Sequence, residues 1–343
     1  MGSRLVGPGE PVYVVAEAGV NHDGKVDRAL ALVDAAADAG ADAVKFQVFD
    51  VERLVARGTE KAEYQKAGDR GESQDEMLRG LQLERDDFAR IAEHSRSRGI
   101  AFLASPFDEA SVDVVVELGA PAIKIASPDL VNLPLVGYAA SKGLPLVLST
   151  GMADMEETRR GVDAARAAGA KELVVLQCVS TYPAQPEDAN LAAMSTLSRE
   201  LEVPIGFSDH TLGTAVAIAA AALGACLIEK HLTLDRSSPG PDHAASLEPA
   251  EMRALVEGCR TAQAAIGDGI KRPADAELEN ARVVRRSLAA ALDLPAGSVI
   301  ARSSLVALRP GTGIPAARLD ELVGRELARD VERFHLLAPE DLV

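Results

Sequence analysis

Two histidines stand at the ends of short apolar runs late in the chain, where they could share a metal ion. His210 follows residues 205–207, and His231 closes residues 226–231. If these runs are neighbouring parallel strands, both imidazoles reach the same end of the sheet. Two nitrogen ligands leave positions open for water and substrate, as a catalytic divalent cation needs. We therefore predict a metal site at this pair, for which Mn²⁺, Mg²⁺, Co²⁺ and Zn²⁺ all remain candidates.

Lysines and serines at other strand ends form a candidate anion site. Lys45 and Lys124 lie inside apolar runs, where burial of a charge is costly unless a partner or ligand compensates it. Ammonium groups would supply charge against a phosphate, and hydroxyl groups would supply geometry. The hydroxyl groups come from Ser127, Ser149 and Ser208. The alternative use of a strand lysine is Schiff-base chemistry in an aldolase, for which Lys230 is a third candidate.

The charge balance makes local cations necessary if the substrate is an anion. The 343 residues include 36 Lys+Arg and 52 Asp+Glu, a formal net charge of −16. Such a field repels nucleic acids and anionic membranes, so we expect neither as a partner.

The cysteines and the lengths of the apolar runs indicate the cellular compartment of the protein. Cys178, Cys226 and Cys259 lie far apart in apolar runs, which indicates a reducing environment without disulfides and makes Cys178 a packed thiol. No secretory leader and no run of transmembrane length is visible, so we expect a cytoplasmic protein.

Eight short apolar runs, separated by amphipathic stretches, must position these side chains. They span residues 12–16, 43–47, 101–104, 122–125, 146–149, 173–177, 205–207 and 226–231. Eight strand-then-helix units over about 250 residues are typical of a (β/α)8 TIM barrel, whose catalytic residues follow the strands. A doubly wound open sheet is the alternative, but it would carry a Gly-rich phosphate turn that residues 17–22 do not provide. We predict the α/β barrel.

The alternation of predicted strands and helices is interrupted at two places. Residues 50–76 form a charged, Gly-containing insert at the expected barrel mouth, which is either a lid or a disordered segment. After Gly269 the helical periodicity gives way to short strand-like runs with Pro-Gly turns. We therefore predict a TIM-barrel domain over residues 1–268, a linker over 269–284 and a small β-rich domain over 285–343.

At these positions the sequence resembles the sialic acid synthase family, which includes the N-acetylneuraminic, legionaminic and pseudaminic acid synthases. The matching strings are AEAGVNHDG (16–24), VKFQ (44–47), KAEYQ (61–65), ASPFD (104–108), IKIAS (123–127), LSTGM (148–152), GFSDHTLG (206–213), EKHLTLD (229–235), PGPDH (239–243) and RPGTGI (309–314). They run in the family's order over nearly the whole chain, and this ordered set is specific. The tail resembles the antifreeze-like (SAF, β-clip) cap of these enzymes.

The resemblance implies a transferase that condenses phosphoenolpyruvate with an amino-sugar aldehyde, releasing phosphate and a nonulosonic acid. The acceptor would be an N-acylated mannosamine-type sugar or a 2,4-diacetamido-trideoxyhexose. Glu17 would be catalytic together with His210 and His231, which would hold the metal, Mn²⁺ being our first expectation. The implied phosphoenolpyruvate-binding residues are Lys45, Ser105, Lys124, Ser127, Ser149, Ser180 and Ser208. The implied sugar-binding residues are Gln47, Asp129, Tyr182, Asp242 and Arg309.

The family also implies a domain-swapped homodimer, in which one chain's cap covers the other chain's barrel and Arg309 reaches the sugar. Ser180 and Asp129 depart from the Asn and Glu of some N-acetylneuraminate synthases, which leaves the identity of the sugar open. Three alternatives stand beside this function. They are a Schiff-base barrel aldolase, a phosphoenolpyruvate-dependent synthase acting on a sugar phosphate, and a sugar-binding barrel without activity.

Overall fold

The computed structural model describes residues 1–2, 4–62, 65 and 73–343. They divide into two units, Met1–Gly267 and Asp268–Val343. Residues 63–64 and 66–72, and the lid prediction for them, lie outside the described residues. In the part of the chain that is described, no helix is both long and apolar enough to span a bilayer.

Eight parallel strands build the first unit. They are β1 (Tyr13–Gly19), β2 (Ala43–Val48), β3 (Ala101–Pro106), β4 (Ile123–Ile125), β5 (Leu146–Ser149), β6 (Leu173–Cys178), β7 (Ile205–Asp209) and β8 (Leu227–His231). Their order in the sheet is β3-β2-β1-β8-β7-β6-β5-β4, and the end strands β3 and β4 also lie against each other. The sheet is therefore a nearly closed barrel, which confirms the predicted fold.

Helices follow the strands, and most of them cover the outside of the barrel. They are α1 (Val26–Asp38), α2 (Val51–Leu54), α3 (Gln74–Arg79), α4 (Arg85–Ser97), α5 (Glu109–Glu117), α6 (Leu133–Ser141), α7 (Met155–Ala167), α8 (Ala193–Leu201), α9 (Ala215–Ala222) and α10 (Pro249–Ile266). The helix α1 shows the pattern, because it buries Ala29, Leu32, Val33 and Ala36 on one face. That three-to-four-residue spacing places an apolar stripe against the strands.

Inside the barrel, the side chains change from apolar to polar along each strand. Val15, Ala43, Leu103, Ala122, Val147 and Leu227 belong to one buried apolar cluster within the barrel. Side chains two residues apart on a strand share a face. The next inward-facing residues are therefore Glu17, Lys45, Ser105, Lys124, Ser149 and Glu229, all of which line one cavity. The apolar layer closes the floor, and the polar layer opens toward the carboxyl ends of the strands.

The described ends of the 50–76 insert pack at this carboxyl end. The short helices α2 and α3 contribute Val51 and Met77 to a small apolar cluster with Val20, Phe49 and Leu81. Their starts are capped, since Asp50 accepts from the backbone N–H of Glu52 and Ser73 forms a capping box with Glu76. The described parts of the insert thus form a wall built on their own apolar contacts.

The second unit is small and rich in extended chain. It contains α11 (Asp275–Val284), β9 (Ser287–Ala290), β10 (Leu305–Leu308) and α12 (Leu319–Leu322). The strands β9 and β10 pair antiparallel, and Leu288, Ile300, Ile314 and Leu337 are among the buried residues of its separate core. The helix α11 occupies ten residues of the predicted linker. Helix-forming residues and the carboxylate of Glu277, which accepts from the Ala274 N–H at 2.7 Å, explain why it forms.

Candidate active site

A cavity of about 430 Å³ opens at the carboxyl end of the barrel. Twelve of the predicted site residues line it: Glu17, Lys45, Gln47, Ser105, Lys124, Ser127, Asp129, Ser149, Tyr182, Ser208, His210 and His231. Ser180 and Asp242 lie directly beside these residues. Arg309 belongs to the second unit, where it is exposed and follows β10.

Two lysines and two glutamates form a buried cluster at the bottom of the cavity. The Nζ atom of Lys45 lies 2.8 Å from Glu17 Oε2 and 3.7 Å from Glu229 Oε2, and it donates to Ser105 Oγ at 3.0 Å. The Nζ atom of Lys124 lies 3.3 Å from Glu229 Oε1. We call Glu17, Lys45, Lys124 and Glu229 the lysine–glutamate cluster. Its formal charges cancel, which is how four ionisable groups can be buried together.

The pKa values in this cluster follow from burial and pairing. Burial raises the pKa of Glu17, although Lys45 opposes the shift. Burial also acts to raise the pKa of Glu229, but Lys124 and Lys45 outweigh it and bring the pKa to about 2. Burial lowers the pKa of Lys124, against the effect of Glu229. Glu229 is therefore the fixed anion of the cluster, whereas Glu17 has the more basic carboxylate.

Three serines and one backbone amide form a polar pocket next to Lys124. The N–H of Gly151 donates to Ser127 Oγ at 3.0 Å. The Oγ atoms of Ser149 and Ser180 are buried and, within the described structure, have no hydrogen-bond partner. Buried hydroxyl groups without partners are costly, so their presence indicates a ligand that supplies acceptors. We call Ser127, Ser149 and Ser180 the serine cluster.

The predicted metal ligands lie side by side, with their rings inclined by 61°. The ring centroids of His210 and His231 are 5.3 Å apart, and the ring of Tyr182 lies 4.1 Å and 5.6 Å from them. The Nδ1 atom of His210 is 2.7 Å from the carbonyl oxygen of Val179, so Nε2 is the ring nitrogen that would bind a metal ion. Burial, reinforced by His210, holds the pKa of His231 well below its usual value, so this imidazole is neutral.

The histidine pair fits a divalent cation. Metals bind the neutral form of imidazole, and His231 Nδ1 is a buried nitrogen without a hydrogen bond. Asp242 Oδ2 lies 3.7 Å from that nitrogen and adds negative charge nearby. No group of three or more His, Cys, Asp or Glu side chains among the described residues is arranged as a metal site. A cation here would therefore take its other ligands from water and substrate.

Comparisons with known proteins agree with this architecture. The profile of the NeuB family matches residues 32–271, and the SAF domain profile matches residues 285–343. The chain belongs to the NeuB family. Two relatives are named N,N'-diacetyllegionaminic acid synthase. The one from Legionella pneumophila is 45% identical over 93% of this chain and 91% of its own length, and the one from Campylobacter jejuni is 40% identical over 94% and 98%.

A solved structure is also similar to this NeuB-family chain. It is the N-acetylneuraminic acid (sialic acid) synthetase of Leptospira borgpetersenii, in complex with citrate. The TM-score is 0.72 at 35% sequence identity, covering 82% of this chain and 93% of the synthetase. The resemblance inferred from the ordered motifs is thereby confirmed for both the barrel and the SAF domain.

One lysine considered for Schiff-base chemistry lies outside the cavity of this NeuB-family chain. Lys230 Nζ is 2.7 Å from Asp209 Oδ2, and both side chains are completely buried. The reason is strand alternation, because Lys230 lies between the inward-facing Glu229 and His231 and so points into the layer between barrel and helices. Lys230 is a structural residue here, and Lys45 and Lys124 are the lysines that reach the cavity.

Several residues of the cavity were not assigned a role from the sequence. Glu229 could have been found, since it lies two residues before His231 on the same face of β8. Cys178 was interpreted as a packed thiol; it is buried but lines the cavity, with Sγ 3.5 Å from Ser127 Oγ. Among the described residues, the outer wall includes Leu54, Gln65, Gln74, Leu78 and Phe107, none of which was assigned a role from the sequence.

Proposed function

We propose that this protein is a synthase that condenses phosphoenolpyruvate with an acylated amino-sugar aldehyde to give a nonulosonic acid and phosphate. One observation carries the proposal. Two buried lysines, Ser127, Ser149 and the histidine pair line a single cavity at the mouth of the barrel, and Ser180 lies directly beside it. Charged and hydroxyl donors suit the phosphate and carboxylate groups of phosphoenolpyruvate, and the histidines lie where an aldehyde would meet it. The names of the two relatives, both N,N'-diacetyllegionaminic acid synthases, support this reaction class.

The acceptor we favour is a 2,4-diacetamido-trideoxyhexose. The two relatives at 45% and 40% identity are both named as synthases of N,N'-diacetyllegionaminic acid. The outer cavity wall includes the apolar side chains of Leu54, Leu78 and Phe107. A sugar that carries acetyl and methyl groups would bury apolar surface against them, which a fully hydroxylated sugar would do less well.

The reaction can be written with the residues of the cavity. Lys45, Lys124 and the serine cluster would bind the phosphate and carboxylate groups and aim C3 at the aldehyde carbon. A new C–C bond then forms from the C2–C3 electron pair while the π bond of the aldehyde breaks and its electron pair moves to oxygen, leaving positive charge at C2. The carboxylate of Glu17 would stabilise this charge and take a proton from the water that adds to C2. Glu17 returns this proton to the former aldehyde oxygen, which becomes a hydroxyl group. The C2–O bond to phosphate finally breaks, the C2 hydroxyl group becomes the keto group, and its proton leaves with inorganic phosphate.

The histidine pair would hold the cation that this chemistry needs. His210 and His231 would be its protein ligands, with Mn²⁺ as the first choice and Mg²⁺ or Co²⁺ as alternatives. A bound cation supplies Lewis-acid polarisation of the aldehyde oxygen. Tyr182, packed against both rings, would keep the imidazoles in their orientation.

We also propose that the working form is a homodimer with exchanged caps. The resemblance to the sialic acid synthases and the SAF match over residues 285–343 support this proposal. In such a dimer, Arg309 of one chain would bind the acceptor held in the barrel of the other chain. Its guanidinium group would offer several donors to sugar hydroxyl and acyl oxygens.

The proposal is tested by measuring phosphate release from phosphoenolpyruvate with purified protein and Mn²⁺. The acceptors are a 2,4-diacetamido-trideoxyhexose, N-acetylmannosamine and arabinose 5-phosphate, each with and without EDTA. We expect EDTA-sensitive release with the diacetamido sugar. Release that EDTA leaves unchanged, together with a borohydride-trapped adduct on Lys45 or Lys124, would instead show a Schiff-base aldolase. No release with any of these acceptors would contradict the proposed function.

A further inference from the structure

Two loops beside the cavity are joined through a buried histidine, His243. The β1 loop is residues 20–25, and the β8 loop is residues 232–247. His243 of the β8 loop is completely buried. Its Nδ1 atom lies 2.7 Å from Thr233 Oγ1, and its Nε2 atom lies 3.0 Å from Asp23 Oδ1. Asp23 also pairs with Arg28 of α1, so the connection continues into the barrel's outer layer.

A second connection joins the same two loops. The side-chain amide of Asn21 donates to the carbonyl oxygen of Leu232 and to Ser246 Oγ, both at 2.9 Å. Ser246 Oγ in turn donates to the carbonyl oxygen of Asp242 at 2.7 Å. The β1 loop therefore holds the β8 loop at two points, and one of them reaches the backbone of Asp242 through Ser246.

The shape of the β8 loop depends on this buried ring. A Cβ atom at Gly240 would lie 2.7 Å from His243 Cδ2 and 3.1 Å from its Nε2. Only glycine lets the backbone pass this close to the imidazole. The loop is thus folded over the contact between His243 and Asp23, and the PGPDH string has a structural reason.

Asp242 lies between the two connections and faces the reacting groups. Its Oδ2 atom is 3.7 Å from His231 Nδ1. A Cβ atom at Gly19 would lie 3.4 Å from Asp242 Oδ2, 3.3 Å from Glu17 Oε1 and 3.4 Å from Gln47 Nε2. These three polar groups therefore converge on one point, and a small displacement of the β8 loop would move Asp242 away from it.

We propose that Asn21, Asp23, His243 and Ser246 form a latch that positions Asp242 for the acceptor sugar. They are positioning residues, since they act through Asp242 and do not themselves line the cavity. The inference rests on the proposed function only in taking Asp242 as an acceptor contact. It predicts that a broken latch weakens acceptor use and leaves phosphoenolpyruvate binding unchanged. The reason is that Lys45 lies on β2, Ser149 lies on β5, and Ser127 and Ser180 lie in the segments that follow β4 and β6.

The test compares His243→Ala and Ser246→Ala with a matched control, His94→Ala. His94 Nε2 lies 2.8 Å from Asp34 Oδ1 and joins α4 to α1 on the outside of the barrel. In the latch variants the KM for the acceptor should rise about tenfold, and the KM for phosphoenolpyruvate should change less than about twofold. The control should leave both KM values unchanged. Ser246→Ala removes a single hydroxyl group, so it serves if His243→Ala does not fold.

A conservative variant separates positioning from general stability. Asn at position 23 keeps an oxygen acceptor for His243 and tolerates the φ of 51° observed there. Asp23→Gly also tolerates that φ but removes the acceptor. The acceptor KM of Asp23→Asn should therefore lie closer to wild type than that of Asp23→Gly.

Amide hydrogen exchange gives a readout that does not depend on activity. Exchange should accelerate over the β8 loop in the latch variants and stay unchanged in the strands. Wild-type exchange rates in that loop of folded His243→Ala, or equal increases of both KM values, would overturn the latch. If the wild-type protein releases no phosphate, the proposed function is wrong, and so is the role of the latch in acceptor binding. Faster exchange in the β8 loop of the latch variants would even then establish that the latch holds this loop.

Discussion

The lysine–glutamate cluster shows how single residues prepare the cavity for an anionic substrate. Lys45 and Lys124 are almost fully buried, and each is compensated by Glu17 or Glu229. Without these partners the ammonium groups would lose their hydration and tend to lose their protons. The glutamates thus favour the charged form of both lysines before phosphoenolpyruvate arrives, although burial still lowers the pKa of Lys124. Glu229 contacts Lys45, Lys124 and Ser208, so it also fixes the positions of three side chains that are proposed to bind phosphoenolpyruvate.

Two buried lysines allow the chemical role to be separated from the structural one. Lys124→Met should raise the KM for phosphoenolpyruvate about tenfold or more, because a charge-assisted contact is lost. Lys230→Met should instead lower the free energy of unfolding by about 3 kcal/mol, since Asp209 is left charged and buried. For both variants, steady-state kinetics measure the KM for phosphoenolpyruvate, and denaturant unfolding measures the free energy of unfolding.

The two variants are controls for each other. Lys230→Met should keep the wild-type KM for phosphoenolpyruvate in its folded fraction, and Lys124→Met should stay folded under assay conditions. An unchanged KM in Lys124→Met would mean that this lysine does not bind phosphoenolpyruvate.

The acidity of Asp242 predicts how acceptor binding depends on pH. Burial, and secondly the charge of Glu17, raise the pKa of Asp242 from 3.8 to about 6. A raised pKa means that the carboxyl group is protonated below about pH 6 and charged above it. A carboxylate accepts hydrogen bonds from sugar hydroxyl groups better than a carboxylic acid does. The acceptor KM should therefore rise as the pH falls through 6.

This pH dependence is measured at saturating phosphoenolpyruvate, because the phosphate of that substrate also titrates. Asp242→Asn serves as the comparison, since an amide does not ionise. Its acceptor KM should be higher than wild type at pH 8 and nearly constant down to pH 5. A wild-type acceptor KM that is flat over this range would show that the charge of Asp242 does not matter for the acceptor.

At the scale of elements, the barrel strands carry most of what the sequence could predict. Each strand was recognisable as a short apolar run, and the polar residue at its end was recognisable as a site candidate. The reason is local: side chains two residues apart share a face, and parallel strands end at one mouth. The residues that sequence reasoning missed depend on contacts between distant segments. The pairing of Asp23 with His243 spans 220 positions, and no periodicity signals it.

The insert after β2 illustrates the same limit. Its charged, Gly-containing composition suggested a lid or disorder, and neither reading showed which of its side chains would face the cavity. Leu54 of the insert and Leu78 just after it reach the wall because α2 and α3 pack on Phe49 and Val20, which also lie outside the insert. Such tertiary packing fixes the short helices more than their own propensity does.

The turn after β5 should be sensitive to a single added methyl group. A Cβ atom at Gly151 would overlap Ser180 Oγ and lie 2.8 Å from Ser127 Oγ. Both hydroxyl groups can rotate away at little cost to folding, but they would then leave the serine cluster. Gly151→Ala should therefore raise the KM for phosphoenolpyruvate about tenfold and shift the Tm by only a few degrees.

Gly137→Ala on α6 is the matched control for that turn. A Cβ atom there would meet Ala168 Cβ at 3.8 Å, an ordinary contact, and alanine favours the helix. This variant should keep both KM values and gain slightly in Tm. If Gly151→Ala behaves in the same way, the serine cluster has no part in binding phosphoenolpyruvate.

At the scale of the whole molecule, the net charge disfavours the binding of an anionic substrate, whereas the proposed exchange of caps would bring a cation to the site. The formal charge of −16 repels an anionic substrate at long range, so binding must depend on the cations at the barrel mouth. Residues 285–343 match the SAF domain, and Arg309 is an exposed cation of that unit. If the caps are exchanged in a dimer, each active site would need one barrel and the Arg309 of another chain.

Exchange of caps can be tested by mixing two inactive variants. Glu17→Gln removes the proposed base in the barrel, and Arg309→Ala removes the proposed acceptor contact in the cap. Each homodimer should lose at least about 100-fold in kcat/KM for the acceptor, since each lacks one essential group. In a mixed dimer, the barrel with Glu17 would receive Arg309 from the other chain, so one of two sites would be complete.

Co-expression with two different affinity tags and tandem purification would give mixed dimers with about half of wild-type activity per dimer. Mixed dimers as inactive as both parents would show that Arg309 acts within its own chain, and a monomer in analytical ultracentrifugation would contradict the dimer itself.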